Sequence, residues 1–320
     1  MKGGTSCYTW GYELRPRNPR LGDTRRHRGV LLRVGGGFAC LHPWPELGDA
    51  PLDEQLRILR DGGRSALIDC ALECARADAE ARAAGVSLFE NLRVPESHAL
   101  VGAGGSKEIE SALEEGFQRI KIKCGSDPRQ EAARVRGSLE ILAGNPEAKL
   151  RLDFNEGLSA AGFGDFLADL PAEAARRIDF VEDPFAYEGT GWERARAGGS
   201  PPLALDRSLA RAAGGFEVAV LKPALDDILS LQGDAGLLGV RWVVTSYLDH
   251  PFGQSHAAYR AGRLAREREI DICGLSCHSF FELDAFSEAG GEEGPRFVPP
   301  AGTGLGYDEL LEKLPWKRLD

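Results

Sequence analysis

Two periodicities divide the chain. Up to about Asn91, alternating apolar and polar positions predict strands from Tyr8 to Arg15, Gly29 to Val34 and Phe38 to Leu41, with Gly35-Gly36-Gly37 as a turn that tolerates positive φ. His42-Pro43-Trp44-Pro45-Glu46 reads as a loop, and Pro51 with Asp53 opens a helix running to about Arg60. A longer helix covers Ala66 to Ala84, with Leu67, Ile68, Ala71, Leu72 and Ala75 along one face and Gly85 closing it. After Val94-Pro95 the rhythm changes, and short apolar runs alternate with helical segments, as in a parallel sheet built from βα units.

The predicted strands of this second part are His98 to Val101, Arg119 to Lys123, Leu150 to Phe154, Asp179 to Glu182, Leu203 to Asp206, Val218 to Lys222, Trp242 to Ser246 and Ile272 to Ser276. Helical patterns cover Ser106 to Glu115, Pro128 to Leu142, Phe163 to Leu170, Ala172 to Arg177, Asp226 to Leu238 and Gln254 to Arg268, with His250 to Gly253 as the loop before the last. So many alternations predict a closed α/β barrel rather than an open sheet, although the stretch from Asp206 to Val218 is short for a complete crossover. The chain thus divides into an α+β module over residues 1–93, a barrel over 94–285, and a segment over 286–320 that returns to the first module. Gly302-Thr303-Gly304-Leu305-Gly306 lacks the spacing and the strand-to-helix context of a dinucleotide loop.

Polar residues stand where the barrel strands end. Alternation in Arg119 to Cys124 puts Ile120 and Ile122 on one face and Lys121 and Lys123 on the other. The following strands end in Asp153 and Asn155, Glu182 and Asp183, Asp206, Lys222, and Thr245 and Ser246, most of them about one βα unit apart. In a parallel barrel all these ends surround one mouth, so the side chains converge there. Singly, each carboxylate could cap a helix or pair with Arg151, Arg177 or Arg207. Together, Asp153, Glu182 and Asp206 would repel one another unless a cation sat among them, which predicts a hard divalent ion, Mg²⁺ or Mn²⁺.

Lys123 and Lys222 are then expected on opposite sides of that ion. A lysine with a reference pKa of about 10.4 is a poor base, and a neighbouring cation such as Lys121 or the metal, with partial desolvation, is expected to lower it towards about 7 to 8. The arrangement suits abstraction of a proton next to a carboxylate, with the metal and the second lysine stabilising the enediolate.

Composition narrows the partners. The 320 residues carry 39 Lys and Arg against 49 Asp and Glu, a formal net charge of −10, without a long basic run, which argues against nucleic acid. Met1 to Trp10 lack the apolar core of a signal peptide, and no run has the length to span a bilayer, so a cytoplasmic protein without a membrane partner is expected. The seven cysteines are scattered and predict reduced thiols; the six histidines form no short-range cluster, leaving oxygen as the metal ligand.

Lys121-Ile122-Lys123, Arg151-Leu152-Asp153-Phe154-Asn155, Val181-Glu182-Asp183-Pro184, Asp206 and Leu221-Lys222-Pro223 resemble the successive signatures of the enolase superfamily, muconate-lactonizing-enzyme subgroup, whose lysine and Mg²⁺ sites are a known pattern. Leu88-Phe89-Glu90-Asn91, Ala204-Leu205-Asp206-Arg207-Ser208 and Thr245-Ser246 are most similar to its o-succinylbenzoate synthase family, of menaquinone biosynthesis. The resemblance implies a modified TIM barrel, (β/α)7β, under an N-terminal α+β capping domain. It also implies a lyase that dehydrates 2-succinyl-6-hydroxy-2,4-cyclohexadiene-1-carboxylate with syn stereochemistry. By matching position, Lys123 is the base, Lys222 stabilises the intermediate from the other face, and Lys121 is their electrostatic neighbour. Asp153, Glu182 and Asp206 are the implied metal ligands, with Asn155 and Asp183 supporting them.

Racemases of N-acylamino acids and related epimerases share that metal site and both lysines. Gly274-Leu275-Ser276-Cys277-His278 lacks the Asp-x-Asp that dipeptide epimerases carry there, and Asp271 is expected at the wrong end of its strand for a ligand. Thr245, Ser246 and Ser276 are candidates for holding a substrate carboxylate, His278 is a weaker one, and Trp44 and Phe38 are candidates for lining the lid. A non-catalytic metal-binding scaffold is the alternative from another class.

Overall fold

The computed structural model describes residues 6–17, 26–102, 105–207, 209, 212–231, 237, 239–276 and 280–320. The first module is an antiparallel sheet of β1 (Cys7–Leu14), β2 (His27–Val34) and β3 (Gly37–Leu41), backed by α1 (Leu52–Arg60) and α2 (Ala66–Ala84). Gly35 and Gly36 turn the β2–β3 hairpin with φ of 60° and 88°, a pair of positive values that non-glycine residues adopt only at a cost. α2 starts where the Ser65 hydroxyl accepts from the Ile68 amide at 3.2 Å and stops at Gly85, φ 69°. Its small buried side chains, Ala71, Cys74 and Ala75, let it lie directly on β3: a Cβ on Gly37 would come within 1.9 Å of the Ala75 carbonyl oxygen.

The second part is a curled parallel sheet in the order β10-β9-β8-β7-β6-β5-β4. Its strands and helices run β4 (Ala99–Val101), α3 (Ser106–Glu114), β5 (Arg119–Lys123), α4 (Pro128–Ile141), β6 (Lys149–Asp153), α5 (Ala160–Ala168), α6 (Ala174–Arg177), β7 (Ile178–Glu182), α7 (Gly189–Ala197), β8 (Leu203–Leu205), β9 (Val218–Leu221), α8 (Ile228–Leu231), β10 (Arg241–Val244) and α9 (Pro251–Glu267). The expected eighth strand is reduced to single bridges from Gly274 to Thr245 and from Cys273 to Ser97. Those bridges carry hydrogen bonds from Gly274 N to Val244 O (2.8 Å) and from His98 N to Cys273 O (2.7 Å), which close the ring between its two edge strands. The result is the α/β architecture expected, a modified (β/α)7β barrel with an N-terminal α+β cap.

Alternation gives the barrel two cores. Ile120, Ile122, Leu150, Leu152, Val181, Leu203 and Leu205 point outward and pack under the helices, in one cluster with the cap. Phe180, Ala204, Val218, Val220 and Val243 point inward and form a separate cluster inside the ring. Lys121 and Lys123 lie on the inner face, level with Arg151 and Asp153 of the next strand.

Several elements depart from the pattern. No helix is predicted between Glu182 and Leu203, yet α7 forms there; Gly189 and Gly191 dilute its periodicity and only Trp192 is buried. His250 to Gly253 are the start of α9 rather than a loop, with the His250 imidazole capping the Phe252 amide and Pro251 needing no donor. The C-terminal segment forms α10 (Ala285–Ala289), a hairpin of β11 (Gly291–Glu293) and β12 (Arg296–Val298), α11 (Asp308–Lys313), and β13 (Lys317–Arg318), which pairs antiparallel with β1. Among the described residues, no α-helix fills the short passage between β8 and β9, and no helix is long and apolar enough to cross a membrane. Cys7, Cys40, Cys70, Cys74, Cys124 and Cys273 are free thiols.

Candidate active site

Parallel register brings the charged residues together at the C-terminal ends of the strands. Lys123 lies level with Asp153, and Asp153 with Glu182, so three neighbouring strands present them side by side; Asp206 and Lys222 follow the last residues of β8 and β9. Lys121 Nζ donates to both oxygens of Glu182 (2.7 and 2.8 Å) and lies 2.9 Å from Asp153 Oδ2. Lys123 Nζ donates to the same Asp153 oxygen, and Lys222 Nζ donates to Asp206 Oδ2. Three ammoniums therefore face three carboxylates, all but Lys123 mostly buried.

Burial and charge pull these groups in different directions. Asp153 is disfavoured as an anion by burial, but Lys121 and Lys123 more than offset this and hold its carboxyl well below the usual range. Glu182 is raised, by burial and then by the Asp153 charge. Burial alone would lower Lys222, yet the Asp206 carboxylate against it shifts the ammonium upward overall. The expected fall towards neutrality is therefore not found at Lys222, because its nearest charge is an anion in direct contact rather than another cation.

The expected supporting residues lie behind these side chains. The Asp183 carboxylate accepts from the backbone amides of Asp206 (3.1 Å) and Arg207 (3.0 Å), fixing the turn that presents Asp206. The Asn155 amide donates to Asp153 Oδ1 at 3.2 Å, from a backbone with φ 49°. Asp226, which the strand-end pattern does not single out, accepts from the Lys222 amide at 2.6 Å and is pushed up to about 6 by burial. Its signal in the sequence is the acid four residues after a strand-end lysine.

These groups open into a pocket of about 760 Å³ whose walls include Thr245, Ser246 and Ser276, the three candidates for carboxylate binding. The Thr245 hydroxyl is buried without a hydrogen-bond partner, while the Ser276 amide donates to Ser97 Oγ at 3.0 Å. His278 lies outside the described residues. Of the two aromatics considered for the lid, Trp44 lines the pocket; Phe38 does not, because it packs against Trp316 and beneath the Arg82 guanidinium on the far side of the cap.

The cap loop is tied to the barrel beside Lys222. Asp49 Oδ2 accepts from the Trp44 amide (2.7 Å) and the Tyr247 hydroxyl (2.9 Å), and Trp44 Nε1 donates to Tyr247 O (2.8 Å). The Tyr247 ring lies 5.8 Å from Lys222 Nζ, and burial with the Asp49 charge holds its hydroxyl protonated as a donor. Tyr247→Phe removes one charged hydrogen bond, of about 1.5 kcal/mol, and is expected to lower kcat/KM roughly tenfold and the melting temperature by only a few degrees. An unchanged kcat/KM in steady-state kinetics would show that the tie does not organise the pocket.

The donor set fits a hard divalent ion. All three acids offer oxygen, they reinforce one another's electrostatic strain, and the buried Oδ1 of Asp206 has no hydrogen-bond partner. Among the described residues, no three acidic, histidine or cysteine side chains stand close enough for a ready coordination shell, and the lysine ammoniums pair with the carboxylates instead. The pocket walls carry Lys121, Lys123, Arg207 and Lys222 against Glu46, Asp49, Glu156, Glu182, Asp206 and Asp226, so a dication would offset their excess negative charge and ease entry of an anionic substrate.

Comparison with known proteins gives a consistent picture. The family profile described as O-succinylbenzoate synthase, N-terminal domain, matches residues 7–81, and that described as Enolase C-terminal domain-like matches residues 106–230. An o-succinylbenzoate synthase of Bdellovibrio bacteriovorus is 33% identical, over 96% of this chain and 97% of that protein. The N-succinylamino acid racemase of Thermus thermophilus is 28% identical over 62% of this chain and 54% of its own length. The solved dipeptide epimerase from Enterococcus faecalis, complexed with Mg and L-Leu-L-Tyr, shares the fold with a TM-score of 0.77 at 17% identity, covering 94% of this chain and 98% of that one.

Proposed function

This chain belongs to the o-succinylbenzoate synthase family of the enolase superfamily, and we propose that it dehydrates 2-succinyl-6-hydroxy-2,4-cyclohexadiene-1-carboxylate to o-succinylbenzoate, a step of menaquinone biosynthesis. The observation that carries this reading is the placement of amines on opposite walls of one acidic pocket, Lys121 and Lys123 from β5 and Lys222 from the end of β9. A substrate α-carbon between them has a base on one face and a fixed positive charge on the other.

Lys123, as the neutral amine, takes the α-proton, and the electron pair moves into the carboxylate to give an enediolate. The Lys222 ammonium, held by Asp206, opposes that new negative charge from the far face. Lys123 then returns its proton to the departing hydroxyl on the same face, so water leaves with syn stereochemistry and the ring becomes aromatic. Lys121, bonded to Glu182 and Asp153, orients both acids and favours their ionised forms. Asp153, Glu182 and Asp206 are the residues that would hold Mg²⁺, which when bound supplies Lewis-acid stabilisation to the substrate carboxylate. Asp183 and Asn155 position Asp206 and Asp153.

A second reading is racemisation of an N-acylamino acid, favoured by the same two-sided lysines and by the likeness to the Thermus racemase. The testing experiment follows the ultraviolet absorbance of o-succinylbenzoate formation by purified protein with Mg²⁺ and with EDTA. Turnover with Mg²⁺ that EDTA abolishes and added Mg²⁺ restores is the expected result. Absence of turnover, with solvent deuterium entering the α-carbon of both enantiomers of an N-succinylamino acid, would replace the dehydratase by the racemase.

A further inference from the structure

His98 precedes β4 and reaches the inside of the barrel, where it is 4% exposed and lines the pocket. Its Nδ1 lies 3.0 Å from Nη1 of Arg151, a residue with no exposure whose Nε donates to Asp179 at 2.8 Å and whose Nη1 also donates to Ile272 O at 2.7 Å. A guanidinium can only donate, so Nδ1 must be the acceptor, and the ring proton of the neutral imidazole sits on Nε2. Nε2 has no partner among the described residues. Beside it runs Gly274, whose added Cβ would fall 2.9 Å from Nε2 and 2.7 Å from Thr245 Cγ2; the ring and Thr245 therefore flank one stretch of bare backbone. The Thr245 hydroxyl is likewise buried and unpartnered. A donor and a hydroxyl, in residues both more than nine-tenths buried, share a wall of the pocket whose three lysines are held in ion pairs with Asp153, Glu182 and Asp206.

Resting on the proposed reading that a carboxylate substrate enters this pocket, we propose that His98 is a substrate-binding residue: it donates Nε2–H, together with the Thr245 hydroxyl, to an oxygen of the substrate's succinyl arm, and Arg151 is the positioning residue that fixes the tautomer. The environment supports a neutral donor, because burial and then the Arg151 charge hold the imidazole's pKa well below its ordinary value. An uncharged donor aimed at a distal oxygen adds binding without competing with the lysines for the reacting carboxylate.

The test uses full-length protein with Mg²⁺ and 15N-labelled histidine, read by two-bond 1H–15N correlation from pH 6 to 9, with His98 assigned from its loss in His98→Gln. The expected spectrum shows a protonated Nε2 and bare Nδ1 throughout, and the Nε2 signal moves on adding o-succinylbenzoate. In steady-state kinetics His98→Ala raises KM roughly 10- to 100-fold with kcat nearly unchanged, and His98→Gln, which keeps an N–H donor, recovers part of the loss. An Nδ1–H tautomer, an imidazolium, or an Nε2 signal indifferent to a ligand that shifts other pocket resonances would overturn the assignment, and these readouts are taken on the wild-type protein, with His98→Gln serving there only to assign the signal. If the cyclohexadiene carboxylate is not turned over while an N-succinylamino acid is racemised and moves the same Nε2 signal, the dehydratase reading falls and the His98 assignment stands.

Discussion

Replacing Lys123 with alanine is expected to lower kcat by roughly 10²- to 10⁴-fold while leaving the fold and Mg²⁺ affinity nearly intact. The reason lies in what the side chain touches. Its ammonium contacts Asp153 Oδ2, yet Asp153 keeps the buried Lys121 ammonium at 2.9 Å, so removing Lys123 costs the site a base and does not strand the acid. Lys123→Arg separates the two roles of the residue. Arginine preserves the positive charge beside Asp153 and cannot act as a neutral base at ordinary pH, so it should fail as badly as alanine. Single-turnover rates with Mg²⁺, alongside melting curves, make the measurement. A variant within tenfold of wild type would move the base elsewhere, whereas a wild type with no turnover on either substrate class would favour a non-catalytic scaffold. The pair Lys123→Ala and Lys222→Ala also divides the two chemistries. A two-base racemase stripped of one lysine should still exchange the α-proton of one enantiomer through the other, whereas a dehydratase without Lys123 loses turnover by that same roughly 10²- to 10⁴-fold.

The polar strand ends were readable in the sequence because a parallel barrel converts regular spacing into convergence. Lys123, Asp153, Glu182 and Asp206 follow one another at about one βα unit, with Lys222 after a shorter step, and the register sets Asp153 between Lys123 and Glu182 at the pocket that Lys121, Lys123, Glu182, Asp206 and Lys222 line. What escaped was whatever depends on a side chain meeting a partner remote in sequence without a repeating interval. His98 and Arg151 are 53 residues apart, and Tyr247 and Asp49 are 198 apart. Nothing local distinguishes His98 from any polar residue before a strand. Among the described residues the eighth strand is reduced to two bridging residues, and at Gly274 its backbone passes against the His98 ring, a contact that no local pattern announces. The direction of the Lys222 shift was missed for a related reason: sequence spacing gives which charges are near, while the sign depends on which one is in contact.

The opposite end of the barrel yields a prediction of comparable size in stability. Between Leu150 and Arg151 the register with β7 slips by one residue, and the displaced residue is Asp179. It accepts from Arg151 Nε (2.8 Å) and Arg241 Nη1 (3.1 Å) and lies 3.4 Å from Arg119 Nε, while Arg241 also bonds Asp271 at 2.7 Å. Asp271 is thus part of the barrel floor, the end at which its position in the chain placed it. Asp179→Ala leaves a fully buried guanidinium without its closest anion, so the expected cost is about 3 to 5 kcal/mol of stability. For a chain of this size that corresponds to a fall on the order of 10 °C in melting temperature. Burial alone would raise the Asp179 carboxyl, but Arg151 and Arg241 prevail and lower it. A depressed folded-state pKa stabilises the protein above the unfolded value of about 3.9, and that contribution disappears as pH falls through the folded value. The wild type should therefore lose more stability than Asp179→Ala on acidification below about pH 4, so that their melting temperatures converge. Parallel curves across that range would mean that Asp179 is not the anion holding the floor. Because Arg151 spans both ends, bonding Asp179 below and His98 above, the same variant should also loosen the His98 tautomer and raise KM, so the floor of the barrel and the wall of the pocket should weaken together.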